Sequence, residues 1–131
     1  MKKENIIIIS AIVIIILLLA GWQTGFFAKI FSGPKPVAIP EGIILFYGQD
    51  CPHCKNVDDF VVQNKIEDKI KFTKLEVWYN KDNQVILAEV VLKCGITSNQ
   101  VGVPFLYDGN NKCYVGDVDA INFFKNGAGV K

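Results

Sequence analysis

The chain has 131 residues, of which 50% are hydrophobic, and it carries a formal net charge of +1 with acidic and basic residues interspersed. This composition contains no basic patch typical of nucleic-acid binding and no acidic block typical of a solvating tail. About 90 residues remain after the apolar N-terminal segment and its linker, enough for one small domain with a single core.

The first predicted element is a largely apolar segment over residues 6–27, which is long enough to cross a bilayer. Lys2 and Lys3 precede it, so we expect residues 1–5 in the cytoplasm and one membrane crossing. The alternative is a cleaved signal peptide, although the apolar run is long and Leu18-Leu19-Ala20 is a poor match to its cleavage site. Under both interpretations the rest of the chain lies outside the cytoplasm, where disulfides persist.

A short proline-rich linker is predicted over residues 28–41, and one domain over 42–131. The domain begins with a strand that is apolar on both faces. In later segments the apolar residues show in turn the spacing of a helix and the every-second-residue pattern of a strand. The predicted elements are a strand at 42–48, a helix from 52 to about 65, a strand at 70–78, a helix opened by Asn80 and stopped by Gly95, a strand at 103–107, a turn at 108–111, a strand at 112–115 and a helix capped by Asp117 and ending at Gly127.

This order, β-α-β-α-β-β-α, predicts a four-stranded α/β fold. The first βαβ unit requires parallel strands with a right-handed crossover, whereas the last two strands form an antiparallel hairpin. We therefore expect a mixed sheet with helices on both faces.

The motif Cys51-Pro52-His53-Cys54 lies between the first predicted strand and the first predicted helix of the domain. A C-x-x-C in this position indicates thiol–disulfide redox chemistry. Cys51, at the N-cap or just before it, is the expected nucleophile because free N–H groups of the first turn point at its sulfur. Cys54, one turn into the helix, is the expected resolving thiol.

The helix dipole alone stabilises a thiolate by ~0.3–1 kcal/mol, or up to ~2 kcal/mol in good geometry, whereas lowering a pKa by three units requires ~4 kcal/mol. Direct N–H hydrogen bonds and a cationic or polar His53 are expected to supply the remainder. Because a stabilised thiolate makes the disulfide a stronger oxidant, Pro52 and His53 indicate a protein that donates its disulfide.

Two other interpretations of the motif are open. A C-x-x-C can be half of a zinc site, but the remaining cysteines, Cys94 and Cys113, are not a second close pair and the chain has one histidine. A purely structural disulfide is the other alternative. We expect no metal and no cofactor.

At these residues the chain resembles the thioredoxin superfamily, in its minimal glutaredoxin-sized form, over about residues 42–127. Cys51-Pro52-His53-Cys54 matches the active-site motif of DsbA-like disulfide oxidases, and Val101-Gly102-Val103-Pro104 matches the loop that carries a cis-proline. The resemblance implies that Pro104 is cis and lies against the two cysteines, and that the Val103 backbone pairs with an extended substrate. The residues alone also allow Pro104 simply to begin an edge strand.

The chain departs from this resemblance in three ways. Leu45 falls where the family has a buried acid that relays protons to the resolving cysteine, which leaves water or Glu76 as candidates. No helical insertion is present, so the peptide groove of the larger oxidases is expected to be missing or small. Val103 replaces the threonine common in glutaredoxins, which puts glutathione binding in doubt.

Cys94 and Cys113 fall at the end of the second domain helix and in the last strand. A bridge between them is feasible if their Cα atoms lie within about 7 Å, and it would contribute roughly 3 kcal/mol in the entropic model. The alternative is two buried free thiols.

The predicted function is that of a membrane-anchored extracytoplasmic thiol–disulfide oxidoreductase, acting as an oxidase on exported proteins that contain cysteines. It would need a membrane redox partner to reoxidise Cys51 and Cys54, and we expect a monomer. A reductase or isomerase of the same compartment, and a thioredoxin-fold adaptor without turnover, are the alternatives.

Overall fold

The computed structural model describes residues 3–23 and 37–130. The described chain forms two units, one at the N-terminus and one that begins at Val37. Their elements are α1 (Lys3–Gln23), β1 (Ile43–Tyr47), α2 (Pro52–Gln63), β2 (Phe72–Glu76), α3 (Lys81–Lys93), β3 (Phe105–Tyr107), β4 (Cys113–Val115) and α4 (Asp117–Gly127), with short 3₁₀ turns at Ile66–Asp68 and Ser98–Gln100.

Helix α1 contains a stretch, Lys3–Ala20, that is long and apolar enough to span a membrane, with a mean hydropathy of 2.4. The side chains of residues 3–20 are exposed within their own unit. The hydroxyl of Ser10 donates to the carbonyl of Ile7 at 2.8 Å, so this polar group is satisfied within the helix. By length and composition, the helix suits either a membrane anchor or a signal sequence. Residues 24–27 of the predicted anchor lie outside the described residues.

The domain contains a four-stranded sheet in the order β2-β1-β3-β4. Strand β1 pairs in parallel with β2 and antiparallel with β3, and β3 pairs antiparallel with β4. Each strand is shorter than predicted at one or both ends. The predicted order of elements and the mixed sheet are confirmed.

Apolar side chains fill both faces of the sheet. Ile44 and Phe46 of β1 point to one face, where they pack with Phe105, Tyr107 and the inner side of α3. Leu45 points to the other face, where Leu106, α2 and α4 cover it. Because β1 is buried on both faces, its continuous apolar run is what a central strand requires.

Two predicted boundaries differ from the structure. Val37 and Ile39 fall in the predicted linker, yet they pack against the core on the α3 side, so the domain begins before residue 42. Residues 28–36 of that linker lie outside the described residues. The N-cap of α4 is Gly116, and Asp117 is the first helical residue. A φ of 92° at Gly116 favours glycine at the cap, and its N–H donates to the carbonyl of Pro104 at 2.8 Å.

A disulfide joins Cys94, the C-cap of α3, to Cys113 at the start of β4. The Cα atoms lie 6.0 Å apart, within the range that a bridge requires. Of the two alternatives for these cysteines, the structure contains the bridge. It ties α3 to the edge strand of the sheet.

Candidate active site

Helix α2 begins immediately after Cys51, at the end of the sheet where the C-terminus of β1 lies. The N–H of Cys51 donates to the carbonyl of Gly48 at 3.2 Å, which closes the turn between strand and helix. Cys51 is the N-cap, with extended backbone angles, and Pro52 is the first helical residue. Proline suits this position because its fixed φ is helical and the N–H it lacks would have no partner within the helix.

Cys51 and Cys54 are free thiols at the start of α2. The backbone N–H of Cys54 donates to Sγ of Cys51 at 3.2 Å, so the sulfur of Cys51 takes the place of a capping oxygen. Cys51 is 7% exposed and Cys54 is 3% exposed. Cys51 is therefore the slightly more exposed of the two residues, and its sulfur receives a hydrogen bond at the positive end of the helix dipole.

The thiol of Cys54 is strongly held in its protonated form. Burial, the hydrogen bond with the Cys51 side chain and the charges of Cys51 and Asp58 together raise the pKa of Cys54 from 9.0 to about 12, although a backbone interaction at Gly48 acts in the opposite direction. Asp58 lies one helical turn after Cys54 and forms an ion pair with Lys74 of β2. At neutral pH, Cys54 is consequently a proton-bearing partner and not the attacking thiolate.

The loop before β3 lies against the first cysteine. The thiol of Cys51 donates to the carbonyl of Val103 at 3.6 Å, and the Val103–Pro104 peptide bond is cis. Pro104 is fully buried. The structure thus brings together Cys51, Cys54 and Val103, and it has a cis bond where the resemblance predicts one.

His53 makes its hydrogen bond across the molecule to helix α4. Its Nδ1 lies 3.1 Å from Oδ2 of Asp117, and the same oxygen accepts from the side-chain amide of Asn56 at 2.7 Å. Hydrogen bonds from Asn56 and His53 lower the pKa of Asp117 from 3.8 to about 2. The motif predicts that His53 stabilises the Cys51 thiolate, whereas in the structure the carboxylate of Asp117 offsets any positive charge on the ring.

Asn56 and Asp117 are site residues that the sequence did not identify. The sequence predicts Asp117 only as the cap of the last helix. Nothing local indicated that it would contact the redox motif from a position 64 residues further along the chain.

Leu45 and Glu76, the two positions considered for proton exchange with Cys54, both have structural roles. Leu45 is buried in the core between the sheet and α2, as its apolar side chain requires. The carboxylate of Glu76 accepts hydrogen bonds from the N–H groups of Trp78, Tyr79 and Asn80 at 2.7–3.1 Å. Burial alone would raise the pKa of Glu76, but these hydrogen bonds outweigh it and lower that pKa. Glu76 is therefore a structural acceptor that holds a loop, and it is a poor proton carrier near neutral pH.

In the described part of the chain, no three His, Cys, Asp or Glu side chains lie close enough to share a metal ion. The bridge between Cys94 and Cys113 also removes the two thiols that a zinc site with Cys51 and Cys54 would need.

Together, the β-α-β-α-β-β-α order and the sheet order define a thioredoxin-like fold, with the two thiols at the start of its first domain helix. Comparisons with protein-family models and with curated proteins find no match.

Similar solved structures include three plant and algal glutaredoxins. A wheat glutaredoxin is 24% identical, with a TM-score of 0.47 over 68% of this chain and 74% of its own. A buckwheat glutaredoxin–glutathione complex is 17% identical, with a TM-score of 0.47 over 70% of this chain and 76% of that chain. Oxidised glutaredoxin 2 from Chlamydomonas reinhardtii is 22% identical, with a TM-score of 0.45 over 66% and 74%. Because these TM-scores are below 0.5, the fold assignment rests on the strand order and pairing of the chain itself.

Proposed function

We propose that this protein is a thiol–disulfide oxidoreductase that oxidises cysteine pairs in other proteins through a Cys51–Cys54 disulfide. The observation that carries the proposal is the hydrogen bond from the N–H of Cys54 to the sulfur of Cys51, at the start of a helix and beside a second free thiol. This geometry favours negative charge on one sulfur only. An unequal pair of adjacent thiols is what a disulfide exchange reaction needs.

The first step begins with the Cys51–Cys54 disulfide. A substrate thiolate attacks Sγ of Cys51, which forms an intermolecular disulfide and breaks the bond to Cys54. Cys54 leaves with the electron pair of that bond and takes up a proton. Because the pKa of Cys54 is about 12, its departure depends on prompt protonation.

In the second step, the second substrate thiolate attacks the substrate sulfur of the mixed disulfide. Cys51 leaves as a thiolate that accepts the N–H of Cys54. The substrate has then lost two electrons and gained a disulfide, and the protein holds a dithiol. A membrane redox partner that generates disulfides must remove these two electrons before the next cycle.

Two observations support an extracytoplasmic location. Helix α1 has the length and hydropathy of a membrane span or a signal sequence. A disulfide such as Cys94–Cys113 is typical of proteins in oxidising compartments. We propose a single-pass anchor with the N-terminus in the cytoplasm. Protease added outside intact cells should digest the domain, and the mature protein should retain residues 6–27; a domain protected from the protease would contradict this topology.

The reverse direction, disulfide reduction, is the second candidate. The carboxylate of Asp117 lies 3.1 Å from His53 and offsets the charge that would make the disulfide strongly oxidising. The same residues would carry the reaction, with Cys51 attacking a substrate disulfide and Cys54 resolving the mixed disulfide.

The test measures oxidation of a reduced two-cysteine peptide by the oxidised protein. Cys51→Ser should abolish the reaction, whereas a Cys94→Ala/Cys113→Ala double variant should retain it because the reactive pair is intact. Oxidation at the wild-type rate by Cys51→Ser would exclude the mechanism. Reduction of a peptide disulfide without any peptide oxidation would favour the second candidate.

A further inference from the structure

We propose that Trp78 and Tyr79 form a docking surface for an aromatic or large aliphatic side chain next to the target cysteine of an extended polypeptide. This inference rests on the proposed function and specifies its substrate class. The two residues follow β2 and precede α3, and both expose much of their rings, 45% for Trp78 and 68% for Tyr79.

The two aromatic residues follow β2 at the same end of the sheet at which the redox motif follows β1. Strands β1 and β2 are parallel, with Tyr47 opposite Glu76, so the residues that follow each strand emerge side by side. A Cβ atom on Gly48 would lie only 2.2 Å from the indole of Trp78, so that ring covers the glycine backbone. The carbonyl of Gly48 in turn accepts the N–H of Cys51. Gly48 thus contacts both the Trp78 ring and the backbone of the nucleophile, Cys51.

The aromatic loop is held in place before any substrate arrives. Glu76 accepts three N–H groups of the loop, from Trp78, Tyr79 and Asn80. From the other side, the amide of Asn83 donates to the carbonyl of Glu76 at 2.8 Å, and that of Gln84 donates to the carbonyl of Val77 at 2.8 Å. A surface fixed in this way binds with little loss of conformational entropy. These hydrogen bonds order the backbone of the loop that carries the two exposed rings.

The exposed rings of Trp78 and Tyr79 themselves favour an uncharged, apolar side chain. The carboxylate of Glu76 is engaged with backbone N–H groups, and on the other side of the motif Asp117 is engaged with His53 and Asn56. Large rings such as Trp and Tyr contribute much of the energy at binding surfaces, because they bury apolar area at low entropic cost.

The burial of Cys51 indicates that the substrate segment that reaches it is extended. With 7% of this residue exposed, a cysteine on the flat surface of a folded protein could not reach its sulfur easily. A cysteine on an extended segment could enter between the Trp78 loop and Val103, and its neighbouring residue would then meet the aromatic rings. The expected substrates are therefore unfolded or flexible polypeptides.

The experiment compares oxidation of two reduced dithiol peptides by the full-length oxidised protein. The peptides differ only in the residue next to the first cysteine, Phe or Ser. Wild type should prefer the Phe peptide about tenfold in kcat/KM, and Tyr79→Ser should remove most of that preference. Leu92→Ser is the matched control, because Leu92 is 78% exposed and lines an apolar groove at the opposite end of α3.

Equal kcat/KM for the two peptides in wild type would overturn the inference, whatever the variants do. It would also be overturned if Tyr79→Ser kept the full preference, or if Leu92→Ser removed it, since the groove on α3 would then be the recognition surface. A small dithiol separates this result from failure of the proposed function. Wild-type protein that oxidises the small dithiol without a peptide preference contradicts only the docking surface, and protein that oxidises neither contradicts the function itself.

Discussion

Unfolding the reduced protein should sharply increase the reactivity of Cys54 toward an alkylating reagent. In the native protein the pKa of Cys54 is about 12, against an ordinary value of 9.0, with burial as the largest cause. At pH 8 the thiolate fraction is then about 1 in 10,000 in the native state and about 9% in the unfolded state. Thiolate population alone would make the native thiol roughly a thousandfold slower to react.

Part of this difference is recovered, because a thiolate of higher pKa is the better nucleophile. With a Brønsted coefficient of about 0.4–0.5, a pKa higher by three units increases the rate constant of the thiolate about twentyfold. The net expectation is roughly a fortyfold slower reaction of native Cys54, before any steric protection, which would add to it.

The assay is a timed pulse of iodoacetamide on the dithiol form at pH 8, in the presence and absence of urea. Fragmentation of the peptide that contains both cysteines assigns the label to Cys51 or Cys54 by mass spectrometry. Cys51→Ser should raise the native rate at Cys54, because the Cys51 side chain contributes to the raised pKa, but burial should keep it below the unfolded rate. A native rate within about threefold of the unfolded rate would refute the claim that the fold holds Cys54 as the protonated member of an unequal pair.

Three further predictions concern stability and packing. Because the pKa of Asp117 is lowered from 3.8 to about 2, its contribution to stability is complete above about pH 4 and is lost as pH falls to about 2; urea unfolding of Asp117→Asn should therefore change less over this range than that of wild type. Replacing Cys94 and Cys113 by alanine should lower the free energy of unfolding by roughly 3 kcal/mol in urea titrations, and no loss would mean that the bridge does not constrain the unfolded chain. Gly48→Ala should cost about 1–3 kcal/mol, because its Cβ would meet the Trp78 ring, and a second substitution, Trp78→Ala, should remove that added cost in a double-mutant cycle.

The order of elements could be predicted because each element has a strong local pattern. Strand β1 is apolar on both faces, as a central strand must be, and Asn80 caps α3 as its sequence suggests. The reactive pair was also predictable, because its chemistry depends on a short motif between a strand and a helix. The boundary at Val37 was missed, because the proline-rich composition around it is typical of a linker and its packing is a long-range contact.

The contacts around the redox motif could not be predicted, because they join distant segments. The carboxylate of Asp117 reaches His53 only because α2 and α4 pack side by side on one face of the sheet. Glu76 was a candidate proton carrier on residue type alone, whereas its role as an acceptor depends on the turn that follows β2. The pairing of Cys94 with Cys113 required the distance between the end of α3 and β4.

The central claim is that Cys51 and Cys54 form a redox pair that gives its disulfide to substrates, and the reduction potential of this pair tests it most directly. The full-length protein would be equilibrated in glutathione redox buffers, trapped by acid and alkylation, and its thiols counted by mass. We predict a fully reversible two-electron couple at Cys51 and Cys54, with a potential nearer to the oxidising value of about −120 mV than to the thioredoxin value of about −270 mV. A potential near or below −270 mV, or a pair that never forms a disulfide, would contradict this account.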